Sequence, residues 1–434
     1  MQRNLTFLTI FGLFFTSAWS GQTSTQSLPS LIENILLEHP SIKAERSLVQ
    51  VSESAVESAR LQYFPTPSIS TEMAKSRDSD ISYGRGSNSV TTLRLQQPLW
   101  TGGRLTAGVS KAEAGVIATS AHSESVRQDL TLRIVQIYSD WYGAYLKGLS
   151  FQKSLDVHVL LRDQISRRIT EGISAASDFT LLIGREQQTA ADLAAVKSQQ
   201  INSLARLSQL AGREVAANEL IASIVPALPI HEALPQLIEQ AKAENPSVTR
   251  AIAQAKIYDA EISERKADLS PEVYARLDRQ YGNFSDKNSA PQNRIFIGFQ
   301  TKFGAGFSAI SSIEGAKARY SASLADVEST RVGLGEQIVS DYSLNNSGKE
   351  RLVLLTESLD SSESIRVAWG RQFLAGRKTW LDVMNATREL AQVEAQVAEV
   401  KASQILLTWR ILVVVKGVDI SLMEHSKLST EAIK

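Results

Sequence analysis

The sequence contains no cysteine. That excludes disulfides, thiol catalysis, cysteine-ligated metals and lipid attachment through an N-terminal cysteine. Net charge is also missing. Its 46 basic residues balance 46 acidic ones, which argues against a nucleic-acid partner, because such proteins carry a basic surplus or patch. Long apolar runs are absent from the body of the chain. The best candidate, Ile405 to Val415, is interrupted by Arg410 and is about half the ~20 residues that a spanning helix needs. Membrane residence would therefore have to come from β-strands. Proline does not occur between Pro98 and Pro226, so no helix breaker divides that region. No H-E-x-x-H, G-x-S-x-G or phosphate-loop motif is present. The five histidines (His39, His122, His158, His231 and His425) lack metal-ligand spacing. Nothing here indicates catalysis or a cofactor.

What is present begins with an export signal. Arg3 gives a positive start, Leu5 to Phe15 is a short apolar run, and Ala18-Trp19-Ser20 is a small-x-small cleavage site. Cleavage after Ser20 leaves Gly21 as the mature start. The other reading, a buried helix or an anchor, fits less well because the run falls short of the ~20 residues that span a bilayer.

The body of the chain, 434 residues in all, is organised around Gln97-Pro98-Leu99-Trp100-Thr101-Gly102-Gly103-Arg104. Before it, residues alternate as a strand does. After it, the spacing is helical. Pro98 has no N–H for a sheet ladder and suits a strand end. Gly102 and Gly103 supply backbone angles that a side chain disfavours.

Taken in order, Leu31 to Leu37 reads as a helix stopping at His39-Pro40. Ile42 to Tyr63 reads as a second, stopping at Phe64-Pro65. Ser68 to Lys75 and Val90 to Leu99 alternate around a polar loop, Ser76 to Ser89. From Arg104 the apolar positions Leu105, Val109, Ala112 and Val116, then Ile134, Ile137, Trp141 and Tyr145, then Ile165, Ile169 and Ile173, trace a narrow seam of coiled-coil type. Trp141 and Tyr145 sit on that seam, which predicts packing and not ligand stacking. The run breaks at Glu171-Gly172, restarts near Ser177-Asp178, and ends about Leu210, at Ala211-Gly212.

The same order then recurs. His39-Pro40-Ser41-Ile42 matches Asn245-Pro246-Ser247-Val248, and Pro65 matches Pro271 at the same offset. Strand-like runs follow at Glu272 to Tyr281 and Arg294 to Phe303, around a polar loop from Gly282 to Gln292. Gly304-Ala305-Gly306 takes the place of the first junction. Helical runs cover Ile310 to Trp369 and Thr379 to about Val415, with a break at Leu374-Ala375-Gly376. The predicted organisation is a signal peptide (1–20), a first repeat (21–230), a second repeat (231–420) and a C-terminal tail (421–434). About 65 helical residues make a rod near 100 Å, which no compact globular domain needs. Such rods bury their seams by packing side by side.

The strands carry one apolar and one polar face. Ile295, Ile297, Phe299, Thr301 and Phe303 oppose Phe296, Gly298, Gln300 and Lys302. Leu93, Leu95 and Leu99 oppose Arg94 and Gln96, and Val273, Ala275 and Leu277 oppose Arg276 and Asp278. This is a transmembrane-barrel pattern, although a soluble half-buried sheet alternates identically. Four strands cannot close a barrel alone, and open edges do not survive in lipid.

In layout and motifs the chain resembles the TolC family of bacterial outer-membrane efflux and secretion ducts. The resemblance covers nearly the whole mature chain. It rests on the duplication, on Gln97-Pro98-Leu99-Trp100-Thr101-Gly102-Gly103, and on Gly376 followed by Asp382-Val383, Ala386-Thr387 and Leu390. It implies a mainly α fold with a transmembrane β part. Three chains would share one 12-stranded barrel in the Gram-negative outer membrane, continuous with a long periplasmic α-helical barrel of coiled coils. It further implies a homotrimer in contact with outer-membrane lipid, partnered by a periplasmic adaptor and an inner-membrane transporter, of ABC type if the pathway is type I secretion.

The resemblance also assigns residues. Asp382 matches the acidic position of the periplasmic aperture. The family's second acid, three residues on, is here Asn385, so a ring of three Asp382 carries half the usual charge. Capping of its own helix is the alternative role for Asp382. For the gate links, Asp178 matches the acidic partner and Lys378 stands where arginine is usual. Phe373 stands where tyrosine is usual and has no hydroxyl to bond. An Asp178–Lys378 link is expected, solvated charges being the alternative, and the gate should open easily. Pro98, Gly102, Gly103, Gly304 and Gly306 mark the strand-to-helix junctions. The function implied is passive export. Lack of a lipidation cysteine favours type I protein secretion over small-molecule efflux within the family. A periplasmic coiled-coil structural or adhesive protein is the alternative from a different class.

Overall fold

The computed structural model describes residues 27–74, 86–221, 228–301 and 308–432. The signal sequence and the second-junction glycines Gly304 and Gly306 lie outside them. The repeat is visible in element lengths. Helices α1 (Leu28–Glu38) and α2 (Pro40–Leu61) lead to strands β1 (Thr66–Met73) and β2 (Ser89–Trp100). Then come α3 (Arg104–Thr170), α4 (Ala176–Ala211) and the short α5 (Ala217–Ile221). The second copy is α6 (Leu234–Glu244), α7 (Pro246–Ala267), β3 (Glu272–Tyr281), β4 (Gln292–Gln300), α8 (Ser308–Leu374) and α9 (Trp380–Lys416). Both long helices have 67 residues, near 100 Å at the usual rise per residue. The segment expected as a tail holds a further helix, α10 (Val418–Ala432), packed against α9, α3 and α1.

The His-Pro and Asn-Pro pairs both stop one helix and start the next. His39 ends α1 and caps α2, its Nδ1 accepting from Ser41 N. Asn245 does the same between α6 and α7, its Oδ1 accepting from Ser247 N at 2.9 Å. Its amide nitrogen also donates to Val414 O, which fastens the turn to α9. Proline follows each cap at the first helical position, where no N–H is needed.

The long helices form a wall four helices wide at two levels. Nearer the sheet, neighbours run α2, α3, α7, α8. Farther away they run α4, α3, α9, α8, so α3 and α8 pass through both levels. The seam differs in part from the expected one. In the upper half of α3 Leu105 is buried as expected, but the other buried positions are Ala107, Ala114, Ala118 and Ala121, while Val109, Ala112 and Val116 are only half-buried. The buried set on α7 is also alanine-rich, with Ala253, Ala255, Ala260 and Ala267. Small residues let α3 and α7 approach closely, since helix separation follows side-chain size. Lower down, Ile134, Ile137 and Trp141 are buried as expected, and Trp141 stacks on Tyr145 with centroids 5.4 Å apart. Ile173 lies beyond the end of α3 and is exposed.

Arg410, which interrupts the apolar run of α9, holds Asp341 on α8 in a bidentate bond from Nε and Nη2, with Nε to Oδ2 at 2.8 Å. Among the described residues no helix is long and apolar enough to cross a membrane.

The four strands form one antiparallel sheet in the order β1-β2-β3-β4. Strands from the two repeats meet at its centre, where Arg94 pairs with Asp278 and Leu95 with Leu277. Both edges, β1 and β4, are exposed almost throughout. One face carries Ile69, Met73, Leu93, Leu95, Leu277, Ile295, Ile297 and Phe299, all exposed. The other carries Arg94, Gln96, Arg276, Asp278, Gln280 and Arg294. Arg279, opposite Leu93, is the charged exception on the apolar face, and Val273 and Ala275 there are half-buried. A largely exposed apolar face and two edges unpaired among the described residues do not suit water. In a closed barrel the apolar face meets lipid and the edges pair with neighbouring chains.

Candidate functional site: junctions and hairpin tips

At the first junction β2 ends at Trp100 and α3 begins at Arg104, with Thr101-Gly102-Gly103 between them. β2 changes register between Pro98 and Trp100, so Pro98 stands at an irregularity where no ladder donor is needed. Gly102 and Gly103 have φ of +62° and +92°, a region favouring glycine. Gly102 is also sterically required, since a Cβ there would lie 2.3 Å from Ser270 Cβ in the turn before β3. Arg104, at the start of α3, reaches Glu272 at the start of β3 at 3.2 Å, which ties the two repeats together at this level.

The opposite ends of the long helices carry the predicted aperture and gate residues. α3 and α8 end alike. Gly172 N donates to Ile169 O and Ile173 N to Arg168 O. Gly376 N donates to Phe373 O and Arg377 N to Gln372 O. With both glycines at positive φ, each is a Schellman ending. Each turn reverses the chain into the returning helix and leaves an aspartate at its third position, Asp178 on α4 and Asp382 on α9.

The two aspartates are held differently. Thr379 caps α9, and its hydroxyl accepts from Asp382 N at 3.2 Å. Thr379 N and Oγ1 both donate to Asp382 Oδ2, at 2.9 and 2.8 Å. This is a reciprocal capping box. The Thr379 backbone N–H, then the Thr379 hydroxyl, then the Lys378 charge hold the Asp382 carboxyl below the ordinary range. So Asp382 has the capping role that was the alternative in sequence, and it stays ionised. The corresponding cap on α4 is Ala175, whose methyl group cannot hydrogen-bond, and no side-chain bond of Asp178 is seen among the described residues.

Lys378 does not reach Asp178 within the chain. It lies 3.9 Å from Asp382 Oδ1 and 4.2 Å above the ring of Trp369. Phe373 is only 2% exposed and packs with Leu161, Ile165, Leu182, Trp380, Val383 and Met384. The Arg168 guanidinium sits 4.5 Å from its ring centroid. In place of a hydroxyl bond, Phe373 thus joins α8 to α3 through apolar contact and a cation–π interaction. Asn385 is exposed, one turn from Asp382, and borders a cleft of about 420 Å³ between α3, α4 and α9 that also includes His158, Arg185 and Arg388. His158 is buried, bonded to Thr189, and held below its ordinary range by burial and by Arg185.

Sequence reading missed Thr379, Arg168 and Trp369. Thr379-x-x-Asp382 was legible as a capping pattern. The other two depend on which helices meet at the tip, which periodicity does not reveal.

A family model described as outer membrane efflux protein matches residues 31–213 and 237–406. The chain is similar to the outer membrane protein VceC from Vibrio cholerae, with 16% identity over 90% of this chain and 96% of that one at a TM-score of 0.77. It is similar to the CmeC outer membrane channel of Campylobacter jejuni, with 12% identity over 99% and 98% of the two chains at 0.76. It is also similar to the open state of the MtrE outer membrane channel of Neisseria gonorrhoeae, with 16% identity over 93% and 94% at 0.71. No curated protein matches.

Proposed function

The chain belongs to the outer membrane efflux protein family, and from that premise we propose that it is the outer-membrane duct of a type I protein secretion system. Its location is the outer membrane with a periplasmic extension. The observation that carries the duct reading is the sheet, whose apolar face is bare and whose β1 and β4 edges are open. Three chains supply the missing strands and place the apolar faces in lipid. α8 has the matching need in the wall, with Leu324, Val332, Leu344, Val353 and Leu354 exposed for a neighbouring copy to cover.

At the far end, three copies of Asp382 surround the aperture, with Asn385 one turn deeper. The capping box keeps each carboxylate charged, so the aperture favours cations. In planar bilayers Asp382→Ala should shift the reversal potential under a KCl gradient towards zero, and an unchanged potential removes Asp382 from the lining. The tips expose Ile173 and Leu374, apolar ground for a periplasmic adaptor. The energy for transport comes from the inner-membrane transporter, because a duct without catalytic groups supplies none.

The secretion assignment rests on the absence of cysteine for lipid attachment. Gene deletion decides it. Loss of a protein from the culture medium with unchanged drug tolerance supports secretion by an ABC-type transporter. Reduced drug tolerance with an unchanged medium supports the second reading, small-molecule efflux.

A further inference from the structure

We propose that the barrel lumen near its outer mouth binds multivalent anions, through a basic cluster repeated in each protomer. The inference rests on the duct reading, which sets the polar face of the sheet inward.

The register puts Arg94, Asp278 and Arg294 side by side in one cross-strand row on that face, and Arg276 in the next row. Arg94 holds Asp278 with Nε to Oδ1 at 3.0 Å and Nη2 to Oδ2 at 3.3 Å. Arg276 Nε lies 3.2 Å from Oδ2, an ion pair without hydrogen-bond alignment, and its guanidinium also covers the ring of Phe296 at 4.4 Å. Asp278 is thereby buried under two arginines. Arg294 is exposed. It donates to Gln292 Oε1 and has no carboxylate within ion-pair distance among the described residues. Two guanidiniums therefore hold one carboxylate in each protomer, and a third, that of Arg294, stands beside them on the same face without a carboxylate of its own. Glu72 lies four residues along β1 from Ser68, the partner of Arg94, which places it ~13 Å farther towards the mouth. It reduces the local excess without cancelling it.

The height of this cluster follows from topology. The helices join the sheet at Thr66, Trp100, Glu272 and Gln300, so the opposite strand ends form the mouth. Arg294 is the third residue of β4 and Asp278 the fourth from the end of β3. Three-fold symmetry would set three copies around the lumen at this level. Planar guanidiniums pair well with phosphate, sulfate or carboxylate oxygens. A ring of them in a confined lumen raises the local anion concentration. The duct would then be negative at the Asp382 aperture and positive at its exit.

The test uses the purified full-length trimer in planar bilayers at low salt, with inositol hexakisphosphate as the probe. The long helical wall cannot cross the film, so protein added to one compartment presents its mouth to the other. The expected result is current block from the mouth side only. Arg294→Gln removes one guanidinium from each of the three protomers and should raise the half-blocking concentration at least tenfold, the equivalent of one charge-assisted contact. Asp278→Asn should lower it, and these opposite signs exclude a general effect of damage to the barrel. Block of equal strength from both sides, or half-blocking concentrations unmoved by both substitutions, overturns the proposal while open channels still support the duct. Absence of channels in the unaltered protein overturns both.

Discussion

Replacing Phe373 with alanine should open the hairpin tip without unfolding the wall. The side chain is 2% exposed among six apolar residues drawn from α3, α4 and α9. Truncating such a phenylalanine costs ~3–5 kcal/mol, to which loss of the Arg168 contact adds ~0.5–1 kcal/mol. The tip cluster shares no residue with the larger core around Trp141 and Trp409, so the cost should stay local. At ~1.4 kcal/mol per factor of ten, even the lower figure raises the locally open population more than a hundredfold. Amide hydrogen exchange is the direct assay. Residues 161–182 and 369–384 should lose protection in Phe373→Ala while residues 130–142 keep theirs, and open-channel dwell times in bilayers should lengthen. Unchanged exchange at the tip, or an equal loss in both regions, refutes the view that this cluster is a separate latch.

Three other outcomes follow from single sites. Arg410→Ala leaves the Asp341 carboxylate buried without its partner and should cost about 3 kcal/mol, the low end for a broken buried pair, because Arg410 is itself one-third exposed; the double variant Arg410→Met, Asp341→Leu should recover most of this in a melting experiment. His425 is buried against the Trp409 ring at 3.7 Å, and burial lowers its pKa to about 4. Its neutral form suits the fold, so its contribution is complete above the unfolded value near 6.5 and fades as pH falls towards 4, by up to about 3 kcal/mol. Exchange protection of α10 should therefore drop between pH 7.5 and 5, and an equal drop in His425→Phe contradicts the assignment. Gly102→Val combines a positive φ with the Ser270 overlap and should cost ~2–5 kcal/mol. Gly103→Ala meets open space and should cost only the ~1–2 kcal/mol of the backbone, a contrast readable in trimer yield.

Much of the fold was legible because the chain states it twice. The His39-Pro40 and Asn245-Pro246 pairs, the junction at Pro98 to Gly103, and the glycines at 172 and 376 each mark a change of geometry that few other residues allow. The alternation of Leu93, Arg94, Leu95 and Gln96 gave the sheet faces directly, since strand period fixes facing. The seam of α3 was harder to read. Periodicity favours the large residues Val109 and Val116, but the closest helix contacts bury Ala107 and Ala114 instead. The tip was least legible. Position alone pairs Lys378 with Asp178, yet within the chain it turns to Asp382 and Trp369 because the capping box fixes that carboxylate nearby. Phe373 shows the same limit, as its partner Arg168 lies on a helix some two hundred residues away.

The central claim is that the sheet is one third of a barrel closed by neighbouring chains, and interchain crosslinking tests it directly. The chain has no cysteine of its own. Ile69→Cys on β1 can be combined in turn with Ile295→Cys, Ile297→Cys or Phe299→Cys on β4. Within one chain these strands are separated by β2 and β3, which is ~14 Å and beyond disulfide reach. Oxidation in the outer-membrane fraction should give, for at least one pair, a reducible ladder that ends at the trimer. If all three pairs stay monomeric, or the ladder continues past three, the shared barrel is contradicted.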